Sequence, residues 1–455
     1  MFYTKIAEVA KEDPKRLAIV CGSEETSYGE LYHRISDAMY HFINMHIKEA
    51  DIVMVELTNP DSFVQNMITL MSLGAVPFAI PPSVEQTKHR LIEPVHPQFM
   101  MTDTDFYSTN LPSKHKDKLG MGDVIHFTSG SSGPQKLVIR PRKNLLDEAN
   151  GIVAHLGLNI RHGKVLVMTP LAHSFGCGIW RACMLAGATL IVPNESNISA
   201  RLSEIRAIIE AYQPDFIFGV PYLFQVLSRH KHKLSHQPRC FAGGETLFPA
   251  TANQWLKSTG IPLQQEYGLG EGGITTMALP NSLPSCLGAP IPGVRLSIAN
   301  PGADGVGELI VYRNHAPKAY LLEGPADTFM LDGGIRTGDL VSHEDGDYFF
   351  HGRLKSIIVV AGLKVTTLEI EDCIRRLPQV EDVAVLAGKD ALTGERPVAF
   401  VELKTPANAE LIRQNWLKEG LEPMLEEYKI PKHVVVLPKL PRTASGKVDR
   451  NALRV

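Results

Sequence analysis

Segments that read as helix and as strand alternate along most of this chain, and that alternation restricts it to an α/β architecture. "YGELYHRISDAMYHFINM" sets Leu31, Ile35, Met39, Phe42 and Ile43 at helical spacing and runs into "DIVMVEL", a compact buried strand. "SFVQNMITLMSLGAVPFAI" predicts a helix, a stop at Gly74 and another strand. "LSEIRAIIEAYQPDFIFGVP" repeats the unit before Pro221. From about residue 305 the texture changes to short strands and turns, and a last helix is expected near "NAELIRQNWLKEGLEPMLEEY". At 455 residues the chain exceeds the ~250–300 at which a single core stops growing. The expected organisation is a large N-terminal domain of several subdomains with mixed sheets and helices, residues 1–352, and a small α+β domain, residues 353–455.

A formal net charge of −3 offers no broad basic field, which argues against nucleic acid as a partner. No run of ~18 uncharged apolar residues appears, and the N-terminal stretch lacks an apolar signal-peptide region. The expectation is a cytoplasmic protein without a membrane span. The six cysteines never fall as CxxC, so they are expected to be reduced, buried and structural.

"HFTSGSSGPQKLVIRP", residues 126–141, packs hydroxyls, glycines and a lysine between two apolar runs. Such donors suit a phosphate, although a surface turn would use the same residues. The lysine and hydroxyl spacing of a Walker loop is missing. "GLGEGG" is formally a GxGxxG through Gly268, Gly270 and Gly273, but "PLQQEY" before it and "ITTMALPNS" after it do not make the strand and helix of a dinucleotide site. In "SRHKHKLSH", His230, His232 and His236 stand among Arg229, Lys231 and Lys233 with no carboxylate nearby, which reads as a solvated basic loop rather than a metal site.

Five stretches, "FTSGSSGPQK", "EYGLGEGG", "RTGDL", "GRLKSIIVVAGLKV" and "PRTASGKVDR", occur in one order that resembles the adenylate-forming superfamily of acyl- and aryl-CoA synthetases, nonribosomal peptide synthetase adenylation domains and luciferases. The resemblance extends upstream to "TSYGELYHRISDA" and "SLGAVPFAIPP" and so covers nearly the whole chain. It implies that a carboxylic acid and ATP give acyl-AMP and pyrophosphate, that a thiol then takes the acyl group, and that the C-terminal domain is a lid turning between the two steps.

Carried over residue by residue, the resemblance implies that Thr128, Ser129, Gly130, Ser131, Ser132 and Gly133 cradle the β- and γ-phosphates with Lys136 as the basic residue. Pro134 comes one place early, and Leu137 stands where a glycine is usual. Tyr267 and Gly268 would border adenine, as would the strand end Gly243, Gly244 and Glu245, though a buried turn would also use those glycines. Glu271 would hold Mg²⁺, a hard cation suited to oxygen ligands. Gly270 replaces a usual threonine, a role that Thr275 or Thr276 could take over. Asp339 would accept the ribose hydroxyls, Arg353 would lie by ribose and phosphate, Lys355 would be the hinge and Gly362 would border the thiol tunnel. Lys447 would be the catalytic lysine between carboxylate and α-phosphate, with His173 beside the carboxylate.

For the acid, His173, Phe175, Gly176, Gly219, Val220 and Leu269 suggest an apolar pocket. No acidic residue lies between Thr169 and Gly187 to pair an ammonium, so an aryl or acyl acid is expected rather than a free α-amino acid. The acceptor would be CoA or a phosphopantetheinyl carrier protein acting in trans, since no carrier domain follows Val455. A catalytically impaired nucleotide sensor of the same fold is the alternative, motivated by Gly270 and Leu137 and opposed by Lys447, Glu271, Asp339 and Arg353.

Overall fold

The computed structural model describes residues 2–80, 91–128, 136–159, 163–194, 198–229, 234–279, 282–283, 286–317, 319–322, 324–325, 327–405, 414–442 and 447–454. Its largest sheet has Glu24–Ser27 as an antiparallel edge strand and then six mutually parallel strands, in the spatial order Leu17–Cys21, Thr189–Val192, Lys164–Val167, Phe216–Gly219, Arg239–Ala242 and Leu263–Leu269. Both faces of these strands are covered, which is why "LAIVC", "TLIV" and "FIFG" are almost wholly apolar rather than alternating. Past Leu263–Leu269 the direction reverses: Gly273–Met277 pairs antiparallel with it, and the sheet continues through antiparallel strands to Val294–Ala299. This antiparallel hairpin, with no helix after it, excludes the dinucleotide reading of "GLGEGG".

A six-stranded sheet places Phe99–Thr102, Ile52–Glu56, Val76–Ala79 and Val124–Thr128 in parallel, and Lys136–Arg140 returns antiparallel with Thr128 opposite Lys136. Helices Phe2–Glu12, Tyr28–Asn44, Pro60–Ser72, Arg142–Leu156 and Ser174–Ala186 supply the core shared with both sheets. Tyr28–Asn44 starts on a capping box, Ser27 accepting from the Glu30 amide while Glu30 accepts from the Ser27 amide. Its Leu31, Ile35 and Phe42 are buried as expected, but Ile43 is exposed. One residue is a 100° step around a helix, enough to carry position 43 off the stripe.

Between the two sheets lies a fully buried ionic cluster. The Glu148 carboxylate on Arg142–Leu156 accepts from Arg140 of the six-stranded sheet (3.1 Å), from Arg181 of Ser174–Ala186 (2.9 Å) and from the Ile274 amide of the large sheet (2.8 Å). Burial alone would raise this carboxyl, yet Arg140, Arg181 and Arg313 hold it below the ordinary range. Gly273 has φ +75°, and a Cβ there would overlap Glu148. The turn into Gly273–Met277 therefore needs glycine for both its conformation and its space.

The C-terminal part has its own sheet, built from Ile357–Val360, Leu363–Thr366, Val380–Asp390, Gly394–Leu403 and His433–Leu437, and its own core of Ile358, Ile370, Ile374, Val383, Leu417 and Leu421. The last helix runs over Gln414–Leu421 and stops short of the expected extent; Glu422–Tyr428 continue in turns and a short 3-10 segment, Glu427–Lys429. Two guanidiniums dock this part on the larger one: Arg375 stacks over Phe248 at 3.7 Å and Arg442 over Tyr222 at 4.0 Å. Asp382 pairs with both arginines, and Gln225 donates to the Glu381 carbonyl at 3.1 Å. No helix among the described residues is long and apolar enough to cross a membrane. All six cysteines are buried free thiols.

Replacing Glu148 with alanine leaves three buried arginines uncompensated. The expected loss is about 3–5 kcal/mol in chemical denaturation, against well under 1 kcal/mol for removing the exposed Lys5–Glu8 pair.

Candidate active site

The site forms where the parallel strands of the large sheet end and the antiparallel extension begins. Period-two alternation divides the residues of Leu263–Leu269 between two faces. Tyr267 and Leu269 face the cluster around Leu309, Val311 and Ile335. Glu266 and Gly268 face the other way, toward Gly243, Phe175 and Ile274.

On the first face Tyr267, Asp339 and Arg353 are joined. The buried Asp339 carboxylate accepts from the Tyr267 hydroxyl (2.7 Å) and forms an ion pair with Arg353, whose Nε lies 2.8 Å from it. Asp339 and Arg353 are directly paired on the antiparallel strands Gly334–Glu344 and Asp347–Arg353, so sheet register alone brings them together. Burial raises the Asp339 carboxyl, with Arg353 and Tyr267 opposing, and Asp339 in turn raises Arg353. Nearby the Tyr320 hydroxyl donates to Glu271 Oε1 at 2.7 Å, and Lys136 Nζ lies 5.6 Å from the Tyr320 ring centre. Tyr320, which the motifs do not include, thus connects the expected metal carboxylate with the expected phosphate lysine. Glu271 keeps one oxygen with no hydrogen bond from the described residues, which fits Mg²⁺ shared with phosphate oxygens. No group of three or more His, Cys, Asp or Glu among the described residues is placed to hold a metal by itself.

The second face carries the other expected residues. The ammonium of Lys447 reaches Gly244, 3.3 Å from where a Cβ would stand. Gly244 has φ +80°, so the conformation and the close approach both require glycine. The pairing of Arg442 with Val448 sets the position of Lys447. Burial lowers the Lys447 ammonium, Glu245 and Glu266 oppose this, and Arg353 adds to it. His173, at the start of Ser174–Ala186, is pushed down to about 3 by burial and by Lys447, so its ring is neutral at physiological pH. Burial raises the Glu245 carboxyl against Lys447.

Several expectations change. Leu269 lies against Gly272 and the Ile335 cluster rather than with Phe175, because the pleat turns it to the Tyr267 face. Gly176 and Gly219 support the pocket from behind: a Cβ on Gly176 would meet Pro170 O at 2.5 Å, and one on Gly219 would meet Met168 Cε at 2.5 Å. Val220 stays at the site, 4.0 Å from the Gly244 Cβ position. Thr275 and Thr276 do not replace the threonine missing at Gly270, since both are fully buried with hydroxyls donating to Gly273 O (3.1 Å) and to Leu287 O. Gly362 occupies an exposed turn between Ile357–Val360 and Leu363–Thr366, with nothing within 4 Å of its Cβ position, so it borders no tunnel in this arrangement. Lys355 is exposed in the 3-10 turn Leu354–Ser356 between the two sheets. Ser129, Gly130, Ser131, Ser132 and Gly133 lie outside the described residues, as do the side chain of Thr128, His230 and His232. His236 Nε2 lies 3.0 Å from the Pro214 carbonyl, an ordinary structural contact.

Sequence reasoning missed Glu266. It is 2% exposed, a Cβ on Gly243 would overlap its carboxyl, and one on Gly268 would stand 2.9 Å from it. The signal was available: a charged residue one place before Tyr267 on a strand must face away from it.

Residues 102–321 match the AMP-binding enzyme family and residues 369–447 match the AMP-binding enzyme C-terminal domain. The chain is similar to triostin synthetase I of Streptomyces triostinicus, 28% identical over 96% of this chain and 91% of that one. It is also similar to 2-succinylbenzoate–CoA ligase of Staphylococcus epidermidis, 25% identical over 99% and 97%. Its fold matches the crystal structure of ATP-bound MatB from Rhodopseudomonas palustris with a TM-score of 0.86, at 21% identity, over 100% of this chain and 98% of that one. With both family regions present and the Tyr267, Asp339, Arg353 and Lys447 constellation assembled between them, the chain belongs to the adenylate-forming superfamily.

Proposed function

We propose that this protein is an AMP-forming acid–thiol ligase that activates an aryl or acyl carboxylic acid and passes it to the thiol of CoA. The observation that carries this reading is the delivery of the Lys447 ammonium from the C-terminal part to Gly244, beside neutral His173 and near the Asp339–Arg353 pair. A carboxylate and a triphosphate repel each other, so their reaction needs fixed cations in a site sheltered from water. Lys447 lies where it can bridge the acid's oxygen and the α-phosphate, and its depressed affinity for a proton is offset as anions bind.

In the first step an acid oxygen bonds to the α-phosphorus while the bond to the bridging oxygen of pyrophosphate breaks. Asp339, fixed by Tyr267 and Arg353, accepts the ribose hydroxyls. Glu271 and Lys136, linked through Tyr320, face the departing pyrophosphate. Mg²⁺ on Glu271 would neutralise phosphate charge. In the second step the thiol sulfur bonds to the acyl carbon, its proton goes to solvent, and AMP leaves. Similarity to a 2-succinylbenzoate–CoA ligase supports CoA as acceptor; a carrier protein would offer the same phosphopantetheine thiol. Gly176 has no room for the carboxylate that would pair an α-ammonium at that position. ATP and CoA supply, together with six buried thiols, fits a reducing cytoplasm.

The domain division falls at Gly352–Lys355. Lys447 occupies the site here while Gly362 is turned to solvent, so the second step needs the C-terminal part to rotate about Lys355. The test is pyrophosphate exchange across a panel of acids, followed by thioester formation; no exchange with any acid would overturn the reading. Lys447→Ala is expected to lower exchange by at least about a hundredfold while retaining thioester formation from supplied acyl-AMP within about tenfold. Similar losses in both steps would remove Lys447 from its assigned role. Lys355→Pro is expected to act the other way round: exchange retained within about tenfold and thioester formation depressed far more, because proline restricts its own φ and the residue before it. Separate assays of the two steps, with the fold checked by circular dichroism, decide this.

A further inference from the structure

Glu271 stands in the turn between Leu263–Leu269 and Gly273–Met277, with Gly270 on one side and Gly272 and Gly273 on the other. Glycine neighbours restrict the backbone least, so the turn by itself does little to aim the carboxylate. Tyr320 supplies what the turn lacks. Its hydroxyl donates to Glu271 Oε1 at 2.7 Å, and its ring, packed against Phe329 with 5.0 Å between centres, is buried. The place of that ring is built from two sides. Residues 319–321 run beside Lys136–Arg140 as an added strand: Leu321 N donates to Leu137 O (2.7 Å), Ile139 N donates to Ala319 O (3.3 Å), and Tyr320 pairs antiparallel with Val138. Gly324 keeps the space of the ring, since a Cβ there would overlap it. Lys136 is two residues from Val138 and on the same face of the strand, and its ammonium lies 5.6 Å from the Tyr320 ring centre.

Resting on the proposed acid activation, we propose that Tyr320 is a positioning residue for the first step: its hydroxyl aims the second Glu271 oxygen at the Mg²⁺ that accompanies ATP, and its ring holds the Lys136 ammonium in register with that metal. Different atoms carry the two roles. The hydroxyl acts through the metal-holding carboxylate, so it matters only when Mg²⁺ is present. The ring acts on phosphate charge through Lys136, so it matters with or without the metal. A tyrosine that merely fills the space between the two sheets would show neither dependence.

The experiment is calorimetric binding of α,β-methylene-ATP, which cannot be cleaved at the α-phosphate, to the full chain in Mg²⁺ and in EDTA. Tyr320→Phe keeps the ring and its packing and removes only the hydroxyl. It is expected to weaken binding in Mg²⁺ by about fivefold or more, the scale of one hydrogen bond to a charged group, and by less than about twofold in EDTA. The Mg²⁺ concentration for half-maximal pyrophosphate exchange is expected to rise with it. Tyr320→Leu, which also removes the ring, is expected to weaken binding under both conditions. In a Glu271→Gln background Tyr320→Phe is expected to add less than about twofold, because the hydroxyl works through that carboxylate. Losses for Tyr320→Phe that are equal in Mg²⁺ and EDTA, or that add in full to those of Glu271→Gln, would overturn the role of the hydroxyl. Unchanged binding of Tyr320→Leu in EDTA would overturn the role of the ring. If the unmodified protein bound the analogue under neither condition, acid activation would fall together with the inference, so the two failures are distinguishable.

Discussion

One carboxylate holds the halves of the large N-terminal part together. Glu148 accepts from a strand of one sheet, a helix and the amide of a strand in the other sheet, and no single one of these elements could bury its own arginine or amide alone. The cost of removing these charges from water is offset only because the geometry is met from several directions at once. Ile274, whose amide is held by Glu148, follows Gly273 directly, and the hairpin from Tyr267 to Ile274 carries both the nucleotide face and the acid face. The position of Tyr267 and Glu266 relative to Phe175 therefore depends on a contact that touches neither substrate.

Much of the fold was legible because buried parallel strands write themselves as apolar runs. "DIVMVEL" and "DFIFGVP" were readable as strands, and the capping box at Ser27 lies in the stretch "TSYGE". Asp339, Arg353, Tyr267 and Lys447 were legible through short motifs, and their convergence follows from strand register and from the docking of the C-terminal part. Harder to read were features of direction. By sequence Leu269 reads as acid-pocket lining although the pleat turns it away, and Gly176 and Gly219 read as pocket lining although they serve close backbone and Met168 contacts. The threonines at 275 and 276 are spent on backbone carbonyls, which no composition rule reveals. Tyr320 comes from a segment far along the chain and was invisible until the fold brought it to Glu271.

The proposed acid and nucleotide faces share one strand and are separated by its pleat. That arrangement lets residues on one face of the strand vary without altering Tyr267 or its bond to Asp339. The same economy applies to the two glycines of the Arg239–Ala242 strand end, since Gly243 admits Glu266 and Gly244 admits Lys447.

The docking of the C-terminal part has a further consequence. Arg375 and Arg442 stack on different aromatic rings, Phe248 and Tyr222, but both are held by the single carboxylate of Asp382. Both guanidiniums share that carboxylate, so the two ring contacts are coupled through one residue. Docking is then cooperative by construction: the C-terminal part has few half-attached states available, and its passage between positions resembles the throw of a latch more than a gradual slide.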